Sequence, residues 1–255
     1  MAFAALRHRL VQLTERLQPA HWRLASRCEL WSVHDVLRHV RDACRLHVRQ
    51  LHSEGASVLE PGFDARLTPQ RWLEQTTGES PEATARDLRT LAAEEAAGLA
   101  ARTAAPRDEA VMGPYGPVHW TVLTTHVFWD AWVHARDVTE MLGWEDESTA
   151  VEEEVAVTYA LLIASMPAAL NGHAFRATLD LTGGDGRSHH AMVEPARVSL
   201  HSGDRAQGGA QLCGRVGPVV DALAGRGPEL PAVLDGDAAA REPLTWLRPI
   251  LKGGN

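Results

Sequence analysis

The feature that most constrains the fold is a long apolar segment that carries ionisable side chains at helical spacing. Within THVFWDAWVHARDV, His126, Asp130 and His134 follow one another every four residues. Side chains at this spacing project from one side of an α-helix. Val127 and Met141 fall on the same broad side, which is therefore expected to face the protein interior.

Ionisable groups on an interior face need partners, and a metal ion is one candidate. A buried carboxylate is costly unless it is paired or coordinated. Asp130 and His134, one helical turn apart, can reach a common cation from one helix. The candidate third ligand is His39 in WSVHDVLRHVRDAC, because it falls between Val36 and Ala43 on the inward face of another predicted helix. Two histidines and one carboxylate leave coordination positions open, as in a catalytic site.

Spacing alone leaves two simpler interpretations open. His39 could be a hydrogen-bonded core histidine, and Asp130 with His134 could be an ion pair on a solvated helix face. His126, one turn earlier, is a spare ligand or a group that supports the ligands. The other histidines considered are expected at the protein surface; they are His34, His47, His52, His189 and His190.

Composition excludes several classes of protein. The net charge is −8 and the basic residues are scattered, which argues against a nucleic-acid partner. No apolar run approaches the roughly 20 residues that a membrane span needs. Arg7, His8 and Arg9 interrupt the N-terminus, so no signal peptide is expected and a cytoplasmic location follows. The three cysteines form no CxxC pair, which argues against a disulfide framework or a zinc knuckle.

The pattern along the chain predicts two domains. Helical periodicity dominates to about residue 170, with helices expected over 4–17, from Ser32, over 81–102, over 118–142 and over 149–170. The following segments alternate apolar and polar residues and break at glycines, as strands do. The sequence therefore predicts an all-α domain over 1–171 and a small α+β domain over 172–255.

Two stretches resemble the mycothiol-dependent maleylpyruvate isomerase family, whose members are DinB-like metal-binding four-helix bundles. They are WSVHDVLRH and DAWVHARDV, and the family pattern is matched by Trp31, Asp35, His39, Asp130, His134 and Asp137. The family also carries a small C-terminal domain similar to sterol-carrier proteins. Gly225-Arg226 and Gly236-Asp237 match its Gly-Arg and Gly-Asp positions. The one departure is Asp130, where the family commonly has glutamate.

The resemblance implies a reaction and a set of site residues. A divalent metal, with zinc favoured, would bind mycothiol as a thiolate that attacks a small electrophile, giving isomerisation or S-transfer. Trp31, Trp129 and Asp137 are expected to bind the cofactor, and His126 is expected to be catalytic. Arg226 would clamp a substrate carboxylate, unless it is a solvent-facing residue that caps a helix. A monomer or a homodimer is expected.

Two other functions remain open from the sequence. One is a thiol-independent lyase, cyclase or other tailoring enzyme of secondary metabolism on the same scaffold. The other is a non-catalytic metal-binding regulator, comparable to helical zinc-binding anti-sigma factors. Those proteins use histidine and cysteine at short spacing, and this sequence has no such cluster.

Overall fold

A computed structural model describes residues 2–53, 57–105, 108–183, 188–203 and 210–247. The chain divides into two compact units, with the division between Asp146 and Glu147. The first is a helical bundle and the second is an α+β unit, which confirms the predicted fold class. The end of the predicted last helix, at 248–250, lies outside the described residues.

The first unit is built on four long helices. α1, α2, α4 and α5 pack against one another as a bundle. A short helix, α3, follows α2, and a two-stranded hairpin precedes α5. In chain order the elements are α1 (Ala2–Arg16), α2 (Val33–His52), α3 (Thr68–Gln75), α4 (Pro81–Ala104), β1 (Ala110–Gly113), β2 (Gly116–His119) and α5 (Trp120–Thr139).

The start of α2 follows the sequence prediction. The Ser32 hydroxyl accepts a hydrogen bond from the Asp35 backbone N–H, and the Asp35 carboxylate accepts one from the Ser32 N–H. Val36 and Val40 are fully buried, as their spacing indicates. The capping box therefore fixes where α2 begins, and with it which residues of the helix face α5.

The end of α5 differs from the prediction. The helix ends at Thr139 rather than near residue 142. Met141 is consequently 44% exposed, so its predicted inward position is wrong. A tight turn follows the helix, and in it the Trp144 N–H donates to the Thr139 carbonyl.

A buried charge network joins the four bundle helices. Glu95 on α4 accepts hydrogen bonds from Arg7 Nε on α1 at 2.6 Å and from His47 Nδ1 on α2 at 2.7 Å. The other ring nitrogen of His47 lies 3.0 Å from the Thr124 hydroxyl on α5. His47 is only 2% exposed, so its expected surface position is wrong. Its helical position alone could not reveal that a glutamate and an arginine would meet it inside the bundle.

The second unit is a five-stranded sheet with helices. The strand order is β5-β4-β3-β6-β7, in which β3 and β6 run parallel and the other neighbours are antiparallel. The elements are α6 (Ala150–Leu170), β3 (Phe175–Thr182), β4 (Ser188–Glu194), β5 (Arg197–Gly203), β6 (Ala210–Arg215), α7 (Val216–Ala224), β7 (Leu234–Gly236) and α8 (Ala238–Arg241).

Helix α6 belongs to the second unit. It packs on β4, β5 and α7, so the compact units divide before it, whereas the sequence placed the boundary at 171/172, after it. Helical periodicity shows that α6 is a helix but not which neighbours cover it. His189 on β4 is 5% exposed and lies 3.4 Å from Glu154 on α6, so its expected surface position is also wrong.

By length and composition α6 would suffice to cross a membrane. Half of its most apolar stretch is buried in the structure. Its packing on the sheet accounts for its apolar composition.

We expect Glu95→Gln to destabilise the bundle by about 3–5 kcal/mol, because it leaves the buried Arg7 guanidinium without a counter-charge. The control is Glu15→Gln, which breaks an exposed pair with Arg89 and should cost less than about 1 kcal/mol. Urea unfolding of the metal-free variants measures both. Equal stability of the two variants would contradict a structural role for the network.

The same carboxylate should make stability pH-dependent. Burial acts to raise the pKa of Glu95, but Arg7 and His47 outweigh it and hold the pKa below the ordinary value of 4.5. A depressed folded-state pKa contributes stability above the unfolded-state value, and this contribution is lost as the pH falls through the folded-state value. Unfolding of the wild type should therefore show a steeper loss of stability below pH 4.5 than unfolding of Glu95→Gln.

Candidate metal centre

The three predicted ligands lie together between α2 and α5. Nε2 of His39 is 3.3 Å from one carboxylate oxygen of Asp130, and Nε2 of His134 is 3.5 Å from the other. One donor atom from each of the three residues falls within 4.8 Å of the other two. The Asp130 and His134 side chains are almost fully buried, whereas the His39 side chain is 13% exposed. The group is therefore buried at Asp130 and His134 and accessible to solvent beside His39.

The Asp130 carboxylate has the features of a metal ligand. Its Oδ2 is buried, and within the described part of the chain it accepts no hydrogen bond, although His39 lies close by. A buried carboxylate oxygen in this state is costly unless a cation completes its environment. Two imidazole nitrogens and one carboxylate oxygen suit a divalent cation such as zinc. The residues present therefore fit a metal ion.

The electrostatics keep the carboxylate charged. Burial acts to raise the pKa of Asp130, but the imidazoles of His39 and His134 outweigh it and hold the pKa well below its ordinary value. Burial acts to lower the pKa of His134, but the charge of Asp130 outweighs it and raises the pKa well above its ordinary value. A metal ion would therefore displace a proton from His134, as imidazole ligands commonly require.

A second carboxylate orients His134 from the opposite side. Nδ1 of His134 lies 2.9 Å from Oδ2 of Asp137, which is fully buried one turn further along α5. An ionised carboxylate only accepts hydrogen bonds, so Asp137 holds a proton on Nδ1, and the proton that a metal ion would displace is the one on Nε2, which faces Asp130. Asp137 thereby sets the tautomer that a metal ligand needs.

Cys28 completes this arrangement, a role that its position in the sequence did not indicate. Its thiol donates to Oδ2 of Asp137 at 3.1 Å, and its sulfur lies 3.7 Å from Nδ1 of His134. Cys28 is held in place by a hydrogen bond from its N–H to the Ser26 hydroxyl. The sequence signal was a single dispersed cysteine, and only the fold brings it to α5.

Cys28, His134 and Asp137 form an alternative group of metal-ligating atoms. Two observations favour the group of His39, Asp130 and His134. The alternative atoms already satisfy one another by hydrogen bonds and all three residues are buried. The Asp130 group instead includes a partly exposed histidine.

The two tryptophans expected to bind cofactor occupy different places. The Trp31 ring centroid is 5.0 Å from that of His39 and 5.9 Å from that of His134, and its Nε1 donates to Gln70 on α3. Trp31 is therefore a wall of the site beside the exposed ligand. Trp129 is fully buried in the bundle. Contact of Trp31, Trp129 or Asp137 with a cofactor stays a prediction.

The two expected catalytic residues are not part of the ligand set. His126 is half-buried one turn before Asp130, and burial lowers its pKa. It is not among the groups of metal-ligating atoms found in the described residues. Arg226 belongs to the second unit and follows Gly225, whose φ of 76° ends α7 in the left-handed conformation. The catalytic roles of both stay predictions.

We expect the purified protein to contain about one divalent metal per chain, and His39→Ala and His134→Ala to lose it. His52→Ala, an exposed histidine on the same helix as His39, is the control and should keep wild-type metal content. Elemental analysis after gel filtration measures this. Retention of metal by both ligand variants would place the metal elsewhere.

We expect Asp137→Asn to weaken metal affinity by roughly 10- to 100-fold, because the amide no longer enforces the His134 tautomer. Glu140→Gln, an exposed carboxylate on the next turn, should leave the affinity unchanged. Competition with a chromogenic chelator gives both dissociation constants. Equal values for the two variants would remove Asp137 from the site.

Two kinds of comparison with known proteins bear on the family and the fold of this chain. The profile described as mycothiol maleylpyruvate isomerase N-terminal domain matches residues 3–139. The crystal structure of a mycothiol-dependent maleylpyruvate isomerase aligns with a TM-score of 0.59 at 14% identity, covering 88% of each chain. That of a histidine-to-alanine mutant aligns with the same TM-score and coverage at 13% identity.

No curated protein sequence matches the chain significantly. The structural likeness, at such low identity, speaks for the fold alone. The profile match covers more than half of the chain and includes all three proposed ligands. This chain therefore belongs to the mycothiol maleylpyruvate isomerase N-terminal domain family.

Proposed function

We propose that this protein is a metal-dependent enzyme that uses mycothiol, a low-molecular-weight thiol, as the nucleophile on a small electrophilic molecule. The reaction would be an isomerisation or an S-transfer. The observation that carries the proposal is the incomplete ligand set of His39, Asp130 and His134, with its access beside His39. A cytoplasmic location, zinc as the metal, and a monomeric or homodimeric state belong to the same proposal.

The residues of the site would have two roles, binding the cation and orienting one of its ligands. His39, Asp130 and His134 would hold the cation, and Asp137 with Cys28 fixes the His134 ring. When bound, such a cation keeps a coordinating thiol deprotonated at neutral pH, and the thiolate can add to and leave an activated double bond.

Two further side chains, Trp31 and His126, would contribute to the reaction at this centre. Trp31 provides an apolar wall that limits water beside His39. His126 has a lowered pKa because of its burial, so it is neutral at pH 7 and able to accept a proton.

Aspartate at position 130 has a structural consequence within this proposal. Its side chain is one methylene shorter than the glutamate common in the family. The cation would lie closer to the α5 backbone than a glutamate would place it. We therefore expect metal preference and turnover, rather than the presence of a site, to be what this difference changes.

We expect turnover of a maleylpyruvate-type electrophile to require a small thiol, with mycothiol preferred over other thiols. The physical reason is that the ligand set leaves coordination positions open for a soft sulfur donor. Steady-state kinetics with and without mycothiol, on protein of known metal content, measures this. Full turnover in thiol-free buffer would instead favour a thiol-independent lyase or cyclase.

We expect Arg226→Lys to keep the fold and the metal but lower kcat/KM by roughly 10- to 100-fold, if Arg226 clamps a substrate carboxylate. A planar guanidinium makes two parallel hydrogen bonds that an ammonium does not reproduce. The loss corresponds to about 1.5–3 kcal/mol of a charge-assisted contact. Arg241→Lys, on α8 of the same unit, is the control. Wild-type kcat/KM for both Arg226→Lys and Arg226→Ala would confine the active site to the bundle.

A further inference from the structure

The loop that leads into α2 is closed by its own backbone hydrogen bonds. Ala25 and Ser32 form an isolated antiparallel bridge across its base. Inside the loop, the backbone N–H and the side-chain hydroxyl of Ser26 both donate to the Trp31 carbonyl, at 3.0 and 2.8 Å. The Trp31 N–H donates in turn to the Cys28 carbonyl at 2.9 Å. The backbone of Trp31 is therefore fixed, and what remains to be positioned is its side chain.

The Trp31 side chain lies on the accessible side of the proposed ligand group. Its ring centroid is 5.0 Å from that of His39 and 5.9 Å from that of His134, and the residue is half-buried. His39 is the ligand that keeps solvent exposure, with 13% of its side chain accessible. An indole in this place covers part of the route from solvent to the ligand nitrogens.

Gln70 on α3 holds the indole by a hydrogen bond. Nε1 of Trp31 donates to Oε1 of Gln70 at 2.8 Å. Nε2 of Gln70 donates to Oε1 of Glu74, one turn further along α3, at 3.0 Å. This second bond fixes which end of the side-chain amide faces the indole, since an amide presents an oxygen acceptor at one end and a nitrogen donor at the other. The acceptor for the Trp31 N–H is therefore held in the orientation that the indole needs.

The helix that carries Gln70 is fixed to the helix that carries His39. Arg38 directly precedes His39 in α2 and is only 3% exposed. Its guanidinium donates to the Leu73 carbonyl and to the Thr76 hydroxyl at the end of α3. Carbonyls in the last turn of a helix lack partners within the helix, so a basic side chain satisfies them well. Arg38 therefore keeps the Gln70 acceptor in a constant position relative to His39.

We propose that Gln70 is a positioning residue of the metal centre, which holds the Trp31 indole over His39 and so controls passage to the metal. The inference rests on the proposed function, because it concerns the entrance that a thiol must use. For a metal ion or a thiol to pass, the indole must turn away and its N–H must leave Gln70. A polar group that loses its partner in a half-buried place is costly, so the hydrogen bond keeps the open state rare.

The test is the rate at which the zinc-loaded protein releases zinc to an excess of a chromogenic chelator, without any thiol. Gln70→Leu removes the acceptor at similar size, and Trp31→Phe keeps an aromatic ring beside His39 but removes the N–H. The double variant Gln70→Leu/Trp31→Phe completes a double-mutant cycle, which isolates the coupling between the two side chains. The matched control is Gln75→Leu, the same substitution at an exposed position of α3.

We expect Gln70→Leu and Trp31→Phe each to release zinc roughly 3- to 10-fold faster than the wild type, because the loss of one neutral hydrogen bond raises the open population by such a factor. The double variant should release zinc no faster than Trp31→Phe alone. Gln75→Leu should match the wild type. Zinc content before mixing should stay full in every variant, because none of them removes a ligand.

A rescue variant separates the positioning of the indole from a general loosening of α3. Gln70→Glu with Glu74→Gln exchanges the two side chains, so that position 70 keeps an acceptor oxygen and position 74 supplies the amide. The release rate of this variant should return to the wild-type value.

Release from Gln70→Leu at the wild-type rate, or an equal acceleration by Gln70→Leu with and without the Trp31 indole, would overturn the inference and leave the metal centre intact. A wild type that binds no zinc would instead overturn the metal centre, and this inference with it. Because zinc release needs neither thiol nor turnover, the result does not depend on whether the thiol-dependent reaction occurs.

Discussion

The first unit depends on the requirement that every charge inside the bundle has a partner. At one level of the bundle, Arg7 and His47 hydrogen-bond Glu95 and so link α1, α4 and α2. At another level, Asp137 satisfies His134 and Cys28, but Asp130 keeps an oxygen that the described residues do not satisfy. The same physical rule pairs the charges of the first network and favours a cation at the second. The contrast separates a structural cluster from a candidate active centre.

The grouping of three metal-ligating side chains could be predicted from the sequence because helical spacing shows which residues face inward. His39, Asp130 and His134 lie together as their positions on two amphipathic helices indicated. The start of α2 at Ser32 was equally predictable, since a capping box is read within four residues. In these cases the signal is read within a few residues of one helix.

What the sequence did not predict depends on contacts between distant segments. Cys28 reaches Asp137 only because the segment before α2 folds back onto α5. His47 and His189 become buried because a carboxylate on another helix meets each of them. The elements that pack on α6 were likewise not predictable, because an apolar helix indicates that it is buried but not which elements cover it. Short elements such as α3 and the β1–β2 hairpin carry too little periodicity to be detected.

Membership in the family and the geometry of the centre are two independent observations that support the proposed chemistry. The profile match concerns the order of residues along the chain, whereas the unbonded oxygen of Asp130 and the contact of His134 Nδ1 with Asp137 concern their arrangement in space. A histidine held by a carboxylate on one nitrogen presents the other nitrogen to a metal. This asymmetry of His134 is the central claim about the site, and it predicts on which side of the ring a cation binds.

Anomalous diffraction from crystals of the zinc-loaded protein tests that claim most directly. We expect one peak at about 2.0–2.2 Å from Nε2 of His39, Nε2 of His134 and an oxygen of Asp130, which are usual zinc distances. A peak bonded instead to Sγ of Cys28 and Nδ1 of His134 would contradict the assignment, because it would make the hydrogen-bonded side of the ring the metal site.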